Sequence, residues 1–138
     1  MAELGINYLA VLVAAVATYA LGMLWYSPAL FGKAWQTAMG LTPEQTAAMQ
    51  RGAGRAYVVT FVCWLVMALA VAILVRRTGL HVLLGGVKIG VVCWGGFALP
   101  IGLSGLMFSG KRPAGFLIET GYQLVSLLGM GIILALWQ

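Results

Sequence analysis

Four long apolar stretches dominate the chain, and each is about as long as a helix needs to be to cross a bilayer, roughly 20 predominantly apolar residues. They run from about Leu4 to Tyr26, Ala56 to Val75, Leu80 to Leu106 and Pro113 to Trp137. The runs are continuous rather than alternating, which excludes a transmembrane barrel. Only 8% of the 138 residues are charged and 62% are apolar, against roughly 25% charged in an ordinary soluble domain. So little polar surface cannot cover a soluble core, and so much apolar surface cannot stay solvated and disordered. The expected fold is therefore all-α: a single membrane domain over residues 1–138, a four-helix bundle with an interfacial loop over 27–55.

The net charge of +5 comes from eight Lys/Arg against three Asp/Glu. The basic residues sit in short clusters between apolar runs rather than on one face, which argues for topology signals and against nucleic-acid binding. Lys33, Arg51, Arg55, Lys111 and Arg112 fall in the first and third connections, and Arg76 and Arg77 in the second. Five against two predicts that connections one and three are cytoplasmic and both termini extracytoplasmic. An N-terminus without Lys or Arg, followed by a long apolar run, reads as a span rather than a cleavable signal.

The first connection is long enough to hold structure. Pro28 is placed to open a short helix with Phe31, Trp35, Ala38 and Met39 on one face and Lys33, Gln36 and Thr37 on the other, a pattern suited to the head-group plane. Thr42-Pro43-Glu44-Gln45 reads as a capping box with proline at the first helical position, opening a second helix that stops at Gly52. Trp25, Tyr26, Trp35 and Trp137 read as interfacial belt residues, and Ser27-Pro28 as the turn into the surface helix.

Small residues let backbones approach closely inside a bilayer. Ala10, Ala14, Thr18 and Gly22 form such a ridge on the first span, and Gly86 and Gly90 a GxxxG frame on the third. Either ridge could serve a contact within the chain or between copies. Pro100, with Gly95, Gly96 and Gly102, predicts a kink in the third span.

Two ionisable residues lie within spans. Glu119 is roughly 9 Å inside the fourth, and Lys88 roughly 12 Å inside the third from the opposite side. Their backbones would differ in depth by roughly 9 Å, which a lysine could largely cover across a core of about 30 Å. Tyr122, Gln123 and Ser126 follow Glu119 at i+3, i+4 and i+7, so the four share one helical face. Such a stripe must face the bundle interior, water or another subunit. Glu119, Tyr122, Gln123, Ser126 and Lys88 thus outline a candidate polar path; the alternative is a snorkelling Lys88 and a stripe that only packs.

No metal ligand set or cofactor motif is expected. His81 has no second histidine or carboxylate near it in sequence, and Cys63 and Cys93 read as small hydrophobes without a redox spacing. No nucleophile–base arrangement points to an enzyme. The residues leave two functions open: a small-solute or ion transporter or channel centred on the Glu119 stripe, and a non-transporting scaffold or partner-binding subunit. A homo-oligomer in the lipid bilayer is expected, since four short spans hardly enclose a solvated path.

The block Trp25-Tyr26-Ser27-Pro28, with Phe31-Gly32-Lys33 and Trp35 after it, resembles domain of unknown function 1761, a family of small four-span membrane proteins. Asn7, the basic loop before the fourth span and Ile118-Glu119-Thr120-Gly121-Tyr122 extend the resemblance over nearly the whole chain. The resemblance implies a four-span fold and a bacterial cytoplasmic membrane location, and it carries no mechanism with it.

Overall fold

The structure, a computed structural model, describes residues 5–51, 53–109 and 113–137. Among these, all regular secondary structure is helical: α1 (Tyr8–Trp25), α2 (Gly32–Met39), α3 (Pro43–Arg51), α4 (Gly54–Thr78), α5 (Leu83–Cys93), a π-helical turn (Trp94–Ala98), α6 (Leu99–Ser109) and α7 (Pro113–Leu136). Four stretches are long and apolar enough to cross a membrane: α1, α4, the unit from Leu83 to Ser109, and α7. The four-span, all-α architecture read from the sequence is thus observed. The first-span start at Leu4, the stop at Gly52 and the basic pair Lys111-Arg112 lie outside the described residues.

Local chemistry explains where the observed ends depart from the expected ones. Gly5 takes φ +63°, and Asn7 caps α1, its side-chain oxygen accepting from the Ala10 amide at 3.2 Å. The helix consequently begins at Tyr8. α4 continues three residues beyond Val75, so Arg76 and Arg77 occupy its last turn, where cations favour the carbonyl end of the helix. Gly79, left-handed at φ 70°, stops it. The capping box of α3 is present in both directions: the Gln45 amide donates to Thr42 Oγ1 at 3.1 Å, and the Thr42 amide to Gln45 Oε1 at 2.9 Å.

The irregularity expected near Pro100 is the π turn at Trp94–Ala98. Proline has no amide to donate back along the helix, so one turn is freed to widen. The Leu99 amide bonds the Trp94 carbonyl five residues back.

α7 is the hub and packs against α5, α1, α4 and α2. The small ridge of α1 is used inside the chain: Ala10 and Ala14 are fully buried and Thr18 nearly so, facing Ala68, Val71, Ala72 and Val75 of α4 and Met130 and Leu134 of α7. Gly86 and Gly90 of α5 lie directly on the α7 backbone at Gly131 and Leu127–Leu128. Both ridges therefore serve intramolecular contacts. α6 buries none of its residues, and Phe108, Met107 and Ile101 stand outward from it. Cys63 is exposed on α4 rather than buried.

Candidate functional site

Three helices carry the same polar–aromatic rhythm at one end of the bundle. Glu119, Tyr122, Gln123 and Ser126 repeat at i, i+3, i+4 and i+7 on α7. Tyr19, Gly22, Met23 and Tyr26 repeat that spacing at the end of α1, and Tyr57, Thr60 and Trp64 follow i, i+3 and i+7 at the start of α4. Residues so spaced share a face. The faces converge on a cavity of about 610 Å³, bounded also by Ser27, Pro28, Trp35 and Ala56.

The wall is built mainly from aromatic rings held at defined angles. Trp64 stacks on Tyr122, centroids 5.9 Å apart and planes 14° apart. Tyr26 meets Tyr122 edge to face at 5.7 Å and Trp35 at 5.8 Å. The Tyr122 hydroxyl donates to the Thr18 carbonyl at 2.7 Å, and Gly22 leaves the space for it; a Cβ there would stand 2.5 Å from that hydroxyl oxygen. The Tyr19 hydroxyl donates to the Tyr57 carbonyl at 3.2 Å, tying α1 to α4 across the wall. Burial first, then the Glu119 carboxylate, pushes the Tyr26 phenol above its ordinary range, so Tyr26 remains a neutral hydroxyl through neutral pH.

Among the described residues of the wall, Glu119 is the one with a formal charge. The Trp35 indole donates to its Oε1 at 3.3 Å. This contact adds a partner to the reading of α2. Its apolar face is the expected one, with Ala38 buried and Trp35 and Met39 partly so. It packs, however, against the start of α7, where Ala38 and Met39 lie over Gly115. The helix itself begins at Gly32, after a turn that opens at Pro28, because the Gly32 amide is bonded to the Ser27 carbonyl at 2.9 Å. Likewise Trp25 turns inward and donates to the Ile118 carbonyl at 3.0 Å, with Phe31 packed on it at 4.6 Å.

Of the expected polar path, Glu119, Tyr122 and Gln123 line the cavity. Ser126 lies one turn deeper, fully buried and outside the lining. Its hydroxyl and the Trp64 indole N–H make no hydrogen bond among the described residues. Lys88 does not join them. It is exposed on the side of α5 away from Gly86 and Gly90. The α5–α7 pairing of Gly86 with Gly131 and Gly90 with Leu127 sets Lys88 level with residues 129–130. Glu119 is some ten residues away along α7, roughly 15 Å. The depth gap is larger than the sequence spacing implied because α5 starts at Leu83 and the two helices pair near the opposite end. A Lys88–Glu119 ion pair does not form.

Sequence reasoning missed Tyr19, Met23, Tyr57, Thr60 and Trp64. Their shared spacing was the available signal, hidden because aromatic residues in an apolar run read as core. Among the described residues no cluster of three His, Cys, Asp or Glu is placed to hold a metal. The described wall combines six aromatic rings with a few polar side chains, those of Ser27, Thr60, Glu119 and Gln123.

The sequence profile of one family, described as a protein of unknown function, DUF1761, matches residues 9–135. The chain belongs to the DUF1761 family. Comparison with curated proteins and with solved structures finds no match. For a DUF1761 chain the cavity geometry is thus the direct guide to function. The Trp-Tyr-Ser-Pro block that carries the resemblance supplies four consecutive residues of which Tyr26, Ser27 and Pro28 bound the cavity and Trp25 braces it from behind.

Proposed function

We propose that the protein is a small-solute carrier of a bacterial cytoplasmic membrane, and that the cavity between α1, α4 and α7 is its solute chamber. The observation that carries this reading is a chamber of about 610 Å³ set among helices long and apolar enough to span a membrane, with Ser27, Thr60, Glu119 and Gln123 on an otherwise aromatic and apolar wall. Ligand sites commonly enclose 300–1,000 Å³, mostly apolar with a few placed polar groups. The chamber lies at the end of the bundle that bears α2, with Ser27, Pro28 and Trp35 in its wall, the end marked by the more basic connections. Positive-inside bias therefore favours a cytoplasmic side for the chamber.

A second reading is favoured by the other half of the bundle. Beyond Tyr122 the interior is packed by Ala14, Ala68, Met130 and Leu134, all fully buried. Such packing favours a subunit that binds a solute without transporting it as much as it favours a carrier. Flux measurements in proteoliposomes separate the two. The carrier reading expects solute uptake by the wild type that drops at least tenfold in Glu119→Gln. Absence of flux for protons, common ions and dyes from well-folded protein would favour the binding subunit. Chemical cross-linking in the bilayer tests whether a homo-oligomer forms; any subunit contact would use faces other than the two glycine–alanine ridges.

A further inference from the structure

Two half-buried polar side chains of the chamber wall, Gln123 and Thr60, make no hydrogen bond among the described residues. Other helical threonines of this chain do: the Thr18 and Thr78 hydroxyls donate back to the Ala14 and Leu74 carbonyls at 2.9 and 2.7 Å. Polar groups withdrawn from water cost free energy unless they are hydrogen-bonded. Among apolar spans the partner comes from the protein, from water or from a ligand. Gln123 is the more demanding of the two, because its carboxamide sets an N–H donor beside a C=O acceptor in one plane. Such an amide is matched edge to edge by a group with the same pair in the reverse order, as when a glutamine reads the edge of a base.

The rest of the wall suits the faces of the same ligand. Six rings border the chamber. They already pack in the arrangements that aromatic pairs prefer, Trp64 stacked over Tyr122 and Tyr26 edge to face with it. A flat conjugated ring that enters continues this packing and gains roughly two- to tenfold in affinity per ring pair. A saturated ring is puckered and forfeits that gain. From the free Gln123 carboxamide and the six-ring wall we infer that the ligand is a planar conjugated heterocycle with a lactam edge, a ring N–H next to a ring C=O. Its edge pairs with Gln123, its faces lie among the aromatic side chains, and the Thr60 hydroxyl supplies a further polar contact. This inference rests on the chamber being a solute site, and it sets no charge for the ligand.

The test uses the full chain in detergent micelles, with uracil as the smallest probe that carries both features. Two relatives each lack one: N,N′-dimethyluracil has no ring N–H, and dihydrouracil keeps its N–H groups on a ring that is no longer conjugated or flat. Titration calorimetry reads binding, with empty micelles as the blank. Expected is saturable binding of uracil, with the dimethyl compound about fivefold weaker or more and the dihydro compound about threefold weaker or more. Gln123→Leu should weaken uracil about fivefold or more and leave dimethyluracil within about twofold, so that the preference for the free edge disappears. The wild-type comparison of the three probes needs no variant, so it stands even where the substitution disturbs folding. Absence of saturable uracil binding, equal binding of uracil and either relative, or a preference that survives Gln123→Leu overturns the inference. The expected binding pattern without flux in proteoliposomes leaves the inference standing and removes transport from the proposed function. Flux of other solutes by protein that binds no uracil does the reverse.

Discussion

The two halves of the bundle are built from different materials. At the end where α1 begins, α5 begins and α7 finishes, the contacts are made by glycine and alanine: Gly86 on Gly131, Gly90 on Leu127, and Ala10 and Ala14 against Ala68 and Ala72. Small residues bring backbones close and leave no room for solvent. At the other end the same helices are held apart by tyrosine and tryptophan, and a cavity results. One end stores packing; the other holds a space whose walls are fixed by side-chain-to-carbonyl bonds across helices, Trp25 to Ile118, Tyr122 to Thr18 and Tyr19 to Tyr57. The lesson is that the close-packed part of this fold and its cavity are separable along the helix axis.

The comparison breaks most readily at the packed end. Gly131→Val would place side-chain atoms against the Gly86 backbone, where no side chain can yield. We expect destabilisation of about 3 kcal/mol or more, read as a lower unfolding midpoint in detergent. A change below about 1 kcal/mol would show that α5 and α7 do not touch there. At the boundary between the halves, Gly22→Ala forces the Tyr122 ring aside, because its Cβ would lie 2.8 Å from Tyr122 Cζ. The expected cost is about 1–3 kcal/mol, together with a loss of ligand binding that Gly131→Val does not share once its folded fraction is corrected for.

Tyr122→Phe keeps the ring and removes only the bond to Thr18. A stability loss of about 1 kcal/mol is expected, and affinity for a chamber ligand should stay within about threefold because the ring face remains. A larger affinity loss would mean that the hydroxyl itself contacts the ligand. The smallest effect is at Thr42→Ala, which removes one arm of the α3 capping box. The cost of about 1 kcal/mol falls on a polar helix outside both halves. It should appear as faster amide exchange in residues 43–51 with binding unaltered.

The sequence showed the spans, the capping box and the kink because each rests on local chemistry: apolar length, a Thr–Gln pairing three residues apart, a proline without its amide. The close-packed ridges were legible for the same reason, though only the structure shows that α1 and α5 turn them toward their own chain. What the sequence hid depends on helical phase and register. Trp25 and Tyr26 at a span end are equally suited to a head-group belt and to an inward wall, and the decision lies with Gly121 and Ile118 on another helix. Lys88 and Glu119 are close in nominal depth but lie on helices whose pairing is set by Gly86 and Gly131. Tyr57 and Trp64 sit among valines, and their common face gains meaning only when Tyr19 and Glu119 are brought opposite.

The central claim is an accessible chamber that ends at Tyr122, with a sealed interior beyond it. Thiol labelling in proteoliposomes tests it most directly, in a background with Cys63 and Cys93 replaced by alanine. Thr60→Cys stands on the chamber wall and Ser126→Cys one turn past it, fully buried. The account predicts that a small membrane-impermeant thiol reagent modifies Thr60→Cys from one side of the membrane only and leaves Ser126→Cys unreacted. Equal reaction at both positions, or no reaction at Thr60→Cys, would contradict it.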